Sequence, residues 1–333
     1  MYYNSILTPT VIRTGNNIIK DLDNILESAH LHYPRKILVT QENLHQIYRD
    51  TMGGFLDEVK IVKGGDLAEA NELLTQFTND DNVLLLAFGG GSVLDVVKYV
   101  GTKLNLPYIS IPSALSNDAI YSSVARLTSA KGKKRSFNVQ PPLGVILDIS
   151  VIQKSPRNLI LAGVGDLITN LSAVKDWEYA HNTMGEPVNE LSCMLAKQAA
   201  MSIWGYYEEE LYSYDFLYDL GHGLITSGLS MTVAGHTRAS SGSEHMISHA
   251  IDEFFPEKAT LHGFQVAWAF ITIERLLRKD KIFLARLTRY FDRIGLTEAL
   301  ERNIPWTDED FYELIPYALK VRKRYTILNS VQL

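Results

Sequence analysis

Cysteine is nearly absent from this chain: Cys193 is the only one in 333 residues. That excludes an intrachain disulfide and a thiolate metal cluster, and it makes a reducing cytoplasm the expected compartment. An excess of positive charge is missing too. Lys and Arg number 32 against 38 Asp and Glu, for a net charge of −6. That balance is wrong for a protein that grips a phosphate backbone, so nucleic acid is not an expected partner. Long hydrophobic runs are lacking as well. The most continuously apolar stretch, Val83 to Phe88, is strand-sized, so no membrane span is expected. The opening residues, MYYNSILTPTVIRTG, have no basic segment leading into an apolar one, and no signal peptide is expected. Internal repeats and low-complexity tracts do not occur.

What is present reads as two domains, the default at this length. The first half alternates β-branched apolar runs with amphipathic segments. Lys36–Thr40, Val59–Val62, Asn82–Phe88, Pro107–Ile111 and Gly144–Asp148 read as strands, with helices over Leu67–Phe77 and Ser92–Leu104. Strands alternating with helices pair in parallel, buried on both faces. Residues 1–150 are therefore expected to form a doubly wound, Rossmann-like α/β domain. From Pro156 the apolar period approaches 3.6, so 151–333 is expected to be an all-helical domain. Its breaks are expected at Gly163 and Gly165, at Gly185 to Pro187, at Gly221 to Gly223, in the Ser240–Ser243 turn and at Pro256. The basic run Lys131 to Arg135, wrapped around Gly132, reads as a solvated hairpin turn.

Three stretches carry chemistry. Phe88-Gly89-Gly90-Gly91-Ser92 joins the most apolar strand to a helix bearing Asp95 and Lys98. Glycines let a backbone approach a ligand, and the helix start beyond them offers N–H groups to an anion such as a pyrophosphate. The turn matches neither the G-x-G-x-x-G fingerprint nor the P-loop, and a βα turn needs glycine in any case. The next connection, Ile111 to Ser123, lies at the carboxyl end of a strand, is rich in hydroxyls and holds Asp118.

The third is Ala239 to Gly263. If Glu244 to Ser248 lies in a helix, His245 and His249 share one face, and His262 follows after Pro256. Spacing leaves two readings open, a metal-site fragment or histidines with no common partner. Asp166, between Gly165 and an apolar helix, is either an N-cap or a hard anionic ligand. With His245 and His262 it would make a site of two imidazoles and one carboxylate, with positions left open as in catalytic zinc sites. His-Glu-x-x-His, His-x-x-Glu-His and G-x-S-x-G are all absent, which removes support for zincin proteases and for the commonest serine hydrolases.

In chain order the sequence shows Gly-Gly-Gly-Ser with Asp95 and Lys98, then Pro112-Ser113-x-x-Ser116-x-Asp118, then Ala162-Gly163-x-Gly165-Asp166-Leu167-Ile168 with Asp176-Trp177. Ser241-Gly242-Ser243-Glu244-His245-x-x-x-His249 and His262-Gly263 follow. Over Leu84 to Ala269 this set resembles the sn-glycerol-1-phosphate dehydrogenases, a branch of the iron-containing alcohol dehydrogenase and dehydroquinate synthase-like superfamily. The resemblance implies NAD or NADP bound by Gly90, Gly91, Ser92, Val93, Leu94, Asp95, Ser113, Ser116 and Ser122. It implies one divalent metal, zinc foremost and iron or nickel otherwise, held by Asp166, His245 and His262. Asp118 and His249 would be the catalytic pair facing the substrate. The implied reaction moves a hydride between NAD(P)H and dihydroxyacetone phosphate or glycerol 1-phosphate, in a protein expected to be a homodimer or larger.

Alternatives are a glycerol dehydrogenase acting on the unphosphorylated polyol, a cyclase-type relative, or a non-catalytic one. The sequence departs from the family pattern at Phe264, where Glu is usual after His-Gly, and at Ala119, where Gly is usual after Asp. Gln41 stands where an acid often holds the adenosine ribose.

Overall fold

The computed structural model describes residues 7–77 and 82–332. Residues 1–6 and 78–81 of the expected first domain and 333 of the second lie outside the described residues. Contacts divide the chain into two compact units that part between Ser155 and Pro156, with 116–118 belonging to the second.

The first unit runs β1 (Val11–Gly15), α1 (Leu22–Ser28), β2 (Arg35–Thr40), α2 (Glu42–Met52), β3 (Glu58–Ile61), α3 (Leu67–Phe77), β4 (Val83–Gly89), α4 (Gly91–Leu104) and β5 (Tyr108–Pro112). β6 (Val124–Thr128), β7 (Lys134–Asn138), β8 (Gly144–Asp148) and the short α5 (Ile149–Ile152) complete it. Six strands form one sheet in the order β1-β8-β5-β4-β2-β3, every neighbouring pair parallel. Crossover helices cover such a sheet on both faces, and all seven residues of β4 are buried. On one face Leu38, Leu86, Phe88 and Ile111 pack with Ile19, Leu22 and Tyr48.

The winding fixes where a ligand can enter. From β2 the chain moves outward to β3, returns to the other side of β2 as β4, and continues to β5. The strand order therefore reverses between β2 and β4, and open α/β sheets bind ligands beyond the carboxyl ends at such a point. Register brings three loops level there: Thr40 pairs with Phe88, and Gly89 with Pro112. The glycine turn is thus at the switch point, although it follows the fourth strand rather than the first.

β1 was not expected from its sequence. It is an edge strand with only two strongly apolar residues, and its pairing with β8 comes from a partner over 100 residues away. The basic run does form a hairpin turn. Ser129 N–H donates to Lys133 O at 2.9 Å, and Gly132 takes φ +73°. Lys134 and Arg135 belong to β7 rather than to the turn.

The second unit is helical: α6 (Arg157–Ile168), α7 (Asn170–Met184), α8 (Glu190–Met201), α9 (Tyr214–Ala234), α10 (Ser243–Phe254), α11 (His262–Ile273), α12 (Lys281–Arg293), α13 (Leu296–Asn303) and α14 (Asp308–Val321). Gly185 ends α7 in the left-handed region, and Pro256 follows the end of α10, both as expected. The breaks expected at Gly163 and Gly165 and at Gly221 to Gly223 do not occur. These glycines lie inside α6 and α9. Two of them act as contact surfaces. A Cβ on Gly223 would stand 2.6 Å from Leu167, and one on Gly165 would stand 2.3 Å from the carbonyl oxygen of Gly263.

Candidate active site

α6 and α11 touch backbone to backbone. A Cβ on Gly263 would lie 1.8 Å from Ala162 O, closer than any atom pair tolerates. Two glycines nearly 100 residues apart therefore allow the contact that sets Asp166, late in α6, beside His262, the first residue of α11. Asp166 is thus not an N-cap, and the reading of it as the start of a helix is corrected. α10 brings the third group. Its first turn is pinned by Ser243 N–H donating to Asp176 at 2.6 Å, and His245 follows two residues on.

The ligating atoms of Asp166, His245 and His262 lie within 4.8 Å of one another. Nε2 of His245 and Nε2 of His262 each stand 3.6 Å from the same oxygen, Asp166 Oδ1. Ligands about 2.1 Å from a tetrahedral divalent ion stand roughly 3.4 Å apart, so this donor set fits a metal. Each imidazole is held from behind. His245 Nδ1 is 3.0 Å from Glu244 Oε1, and His262 Nδ1 is 3.0 Å from Ser248 Oγ. Those contacts leave the Nε2 lone pairs for a metal when Nδ1 carries the proton. Gln265 donates to Ser248 Oγ at 2.8 Å and accepts from Thr260 N–H, locking the α10–α11 turn to the site. Asp166 Oδ2 accepts the backbone N–H of Asp118 at 2.9 Å.

Electrostatics follow from burial and pairing. Burial pushes the Asp166 carboxyl up. The close approach of His245, the charges of both imidazoles and the Asp118 N–H outweigh it, and the group ends below the ordinary carboxylate range. Burial likewise pushes His245 down, but the nearby Asp166 carboxylate and the hydrogen bond to Glu244 reverse this and raise it to about 9.

His249, on the same α10 face, stands apart from the donor trio. Its ring centroid is 6.3 Å from those of His245 and of His262. Asp118 is half-buried and begins a short 3-10 turn. His222 stacks on Tyr218 and His236 meets the Trp177 ring edge-on, so neither joins the trio. Phe264 is fully buried core, and Ala119 is buried too.

In the first unit, Gly90 caps α4, and among the described residues no hydrogen bond engages the N–H of Gly91 or Ser92. Val93 and Leu94 donate their N–H groups to Gly90 O and bury their side chains. Asp95 is turned inward. One oxygen pairs with Lys98 Nζ at 2.9 Å and the other accepts Arg126 N–H at 3.0 Å. Ser122 Oγ also meets Lys98 Nζ at 3.0 Å. These two side chains brace the turn. Ser113 N–H donates to Gly89 O, tying the ends of β4 and β5, and Ser116 is half-buried in the following loop.

Sequence reading missed Gly64 and Gly65. Both have positive φ, a Cβ on Gly64 would stand 2.9 Å from Ser92 Oγ, and Gly65 N–H donates to Ser92 O. A Gly-Gly pair just after a strand was the available signal. Glu244, Ser248 and Gln265 were missed as well, because nothing local marks a side chain that supports a ligand.

Residues 13–156 match the family model described as iron-containing alcohol dehydrogenase. The glycerol-1-phosphate dehydrogenase (NAD(P)+) of Archaeoglobus fulgidus is 32% identical over 340 residues, covering 100% of this chain and 95% of its own. That of Staphylothermus marinus is 35% identical, covering 98% and 93%. Among solved structures, glycerol dehydrogenase from Schizosaccharomyces pombe superposes with a TM-score of 0.76 at 19% identity, over 100% of this chain and 88% of that one. A probable glycerol dehydrogenase from Sinorhizobium meliloti gives 0.77 at 15%, over 99% and 94%. The fold and its sequence relatives define an oxidoreductase of the iron-containing alcohol dehydrogenase class. Within that class, the chain belongs to the glycerol-1-phosphate dehydrogenase family.

Proposed function

We propose that this protein transfers a hydride between NAD(P)H and dihydroxyacetone phosphate, forming glycerol 1-phosphate reversibly. The observation that carries the reading is full-length similarity, at about a third identity, to glycerol-1-phosphate dehydrogenases. The donor trio of Asp166, His245 and His262 supports it, and these three are the proposed metal ligands. Zinc is the proposed ion, since two imidazoles and one carboxylate with an open position suit catalytic zinc. When bound, the ion supplies a Lewis acid toward the substrate oxygen and the nicotinamide supplies or accepts the hydride.

The protein's own groups position and protonate. Asp166 presents Oδ1 toward the imidazoles because Asp118 N–H holds Oδ2. His249 is assigned the proton that reaches the C2 oxygen during reduction. Gly91 and Ser92 direct their N–H groups to the cofactor's pyrophosphate, with Gly90 giving the backbone room to approach. Val93 and Leu94 hold the turn through their N–H bonds to Gly90 O, Asp95 and Ser122 brace it, and Ser113 and Ser116 offer their hydroxyls.

Among the described residues no helix is long and apolar enough to cross a membrane. A cytoplasmic homo-oligomer acting on a small molecule, without nucleic acid, is the proposed setting. A second reading, oxidation of free glycerol, is favoured by the glycerol dehydrogenases among the structural neighbours.

A substrate panel with NADH and NADPH after metal reconstitution separates the two. Higher kcat/KM for dihydroxyacetone phosphate than for dihydroxyacetone supports the proposal. Turnover of free glycerol with none of glycerol 1-phosphate at equal concentration rejects it.

A further inference from the structure

We infer that Glu244 is a positioning residue for the metal centre: its carboxylate fixes His245 as a ligand and balances the second charge of a divalent ion. This rests on the reading of Asp166, His245 and His262 as the metal ligands. The two imidazoles are backed unequally, His245 by a carboxylate and His262 by a hydroxyl, both at 3.0 Å. Glu244 is completely buried. A carboxylate is costly to bury unless something positive faces it. Among the described residues its one ion-pair contact is His245.

Arg278 and Arg324 act on Glu244 through space, but neither forms an ion pair with it among the described residues. Arg278 donates to Asp176 at 2.7 Å and to Glu274 at 2.9 Å, and so spends its charge on them. Glu274 and Arg278 bound a π-helical turn that continues α11, and Lys175 also pairs with Glu274 at 2.9 Å. That network leaves Glu244 facing the donor trio. With Asp166 it supplies two negative charges, matching one divalent cation at a donor set in which Asp166 and His245 are buried.

The backbone is arranged to allow this. Gly242 N–H donates to Glu244 Oε1 at 2.6 Å. A Cβ on Gly242 would stand 2.9 Å from Glu244 Oε2 and 2.6 Å from Asp176 Oδ2. Only glycine leaves both carboxylates their places. The competing role is purely structural, with Glu244 closing the first turn of α10 by accepting the Gly242 N–H. Glu244→Gln distinguishes the roles, because the amide keeps an acceptor for both N–H donors and removes the charge.

The test compares zinc affinity, by chelator competition on the full chain, for wild type, Glu244→Gln and Asp166→Ala. Visible spectra of the cobalt-loaded proteins provide a second readout. Glu244→Gln is expected to bind zinc about 10–100-fold more weakly, the usual effect of losing an outer partner. Its cobalt bands should shift in energy while keeping a wild-type intensity. Zinc affinity within twofold of wild type, with unmoved bands, overturns the inference.

If Glu244→Gln fails to fold, NMR of the zinc-loaded wild type decides. The His245 Nδ1 proton should lie downfield of that of His262, and equal shifts overturn the inference. A wild type that binds no stoichiometric metal, or an Asp166→Ala that binds as tightly, rejects the ligand reading itself and this inference with it.

Discussion

His245 illustrates how one residue's surroundings set the behaviour of the site. Raised to about 9 by Asp166 and Glu244, its imidazole is protonated in the metal-free protein at neutral pH. A metal needs it neutral, so binding must expel that proton. Below about 9, each unit of falling pH should therefore weaken apparent metal affinity up to about tenfold. Calorimetry in two buffers of different ionisation enthalpy should show close to one proton released at pH 7.5. An affinity independent of pH between 6.5 and 8.5 would contradict this.

Gln41 bears on the proposed cofactor preference. It follows β2 at the switch point, and its side chain donates to Lys63 O at 2.7 Å. With glutamine rather than an acid there, residue 41 itself would set no like charge against a cofactor 2′-phosphate. Gln41→Asp should lower kcat/KM with NADPH by about tenfold or more, the ~1.4 kcal/mol or greater cost of a like-charge contact, and spare NADH. Kinetics with both cofactors would check it.

Among elements, the α6–α11 contact matters most. Asp166 and His262 meet because Gly165 and Gly263 leave the two backbones free to touch. Gly263→Ala forces a methyl into Ala162 O, and the helices must separate. The expected outcome is a loss of about 1–3 kcal/mol or more in stability, with weakened metal binding, although no ligand is changed. Thermal melts and zinc titration would measure both. A variant with wild-type metal affinity would show that the contact does not set the site.

This element also shows why sequence reading erred. A glycine that ends a helix and one that lets two helices touch have the same chemistry and the same apolar neighbours. Gly185, which takes φ +69°, ends α7, while Gly165 stays inside α6. The strands of the sheet were easier to read, because runs such as Val83–Phe88 are apolar on both faces. The β1 edge, with a single buried residue, offered no such signal.

At the scale of the molecule, the C-terminal segment holds the entry to α10 from far along the chain. Arg324 donates to Ser241 O and to Thr237 Oγ1, and Arg322 donates to Ser241 Oγ. Ile327 N–H donates to Asp176 Oδ1, the residue whose other oxygen pins Ser243. Arg238, on the same loop, pairs with Glu186 and donates to Tyr325 O. Truncation after Val321 should therefore cost the second unit about 3–5 kcal/mol, the scale of breaking a buried charged network. It should also weaken metal binding without removing a ligand, as denaturation and zinc titration would show. Unchanged stability would mean that the α9–α10 loop holds itself.

The sequence by itself determined the parallel α/β half, the helical half, the glycine turn and the one-turn spacing of His245 and His249. All of these depend on periodicity or on neighbours a few residues apart. Tertiary structure alone decided that the glycine turn stands where the strand order reverses, since pairing order is not written in any one strand. It alone decided that Asp166 meets His245 and His262, because that meeting depends on backbone contacts between helices about 100 residues apart. Glu244 belongs with them: adjacent to His245 in sequence, it shows its role only once burial leaves its carboxylate facing an imidazole.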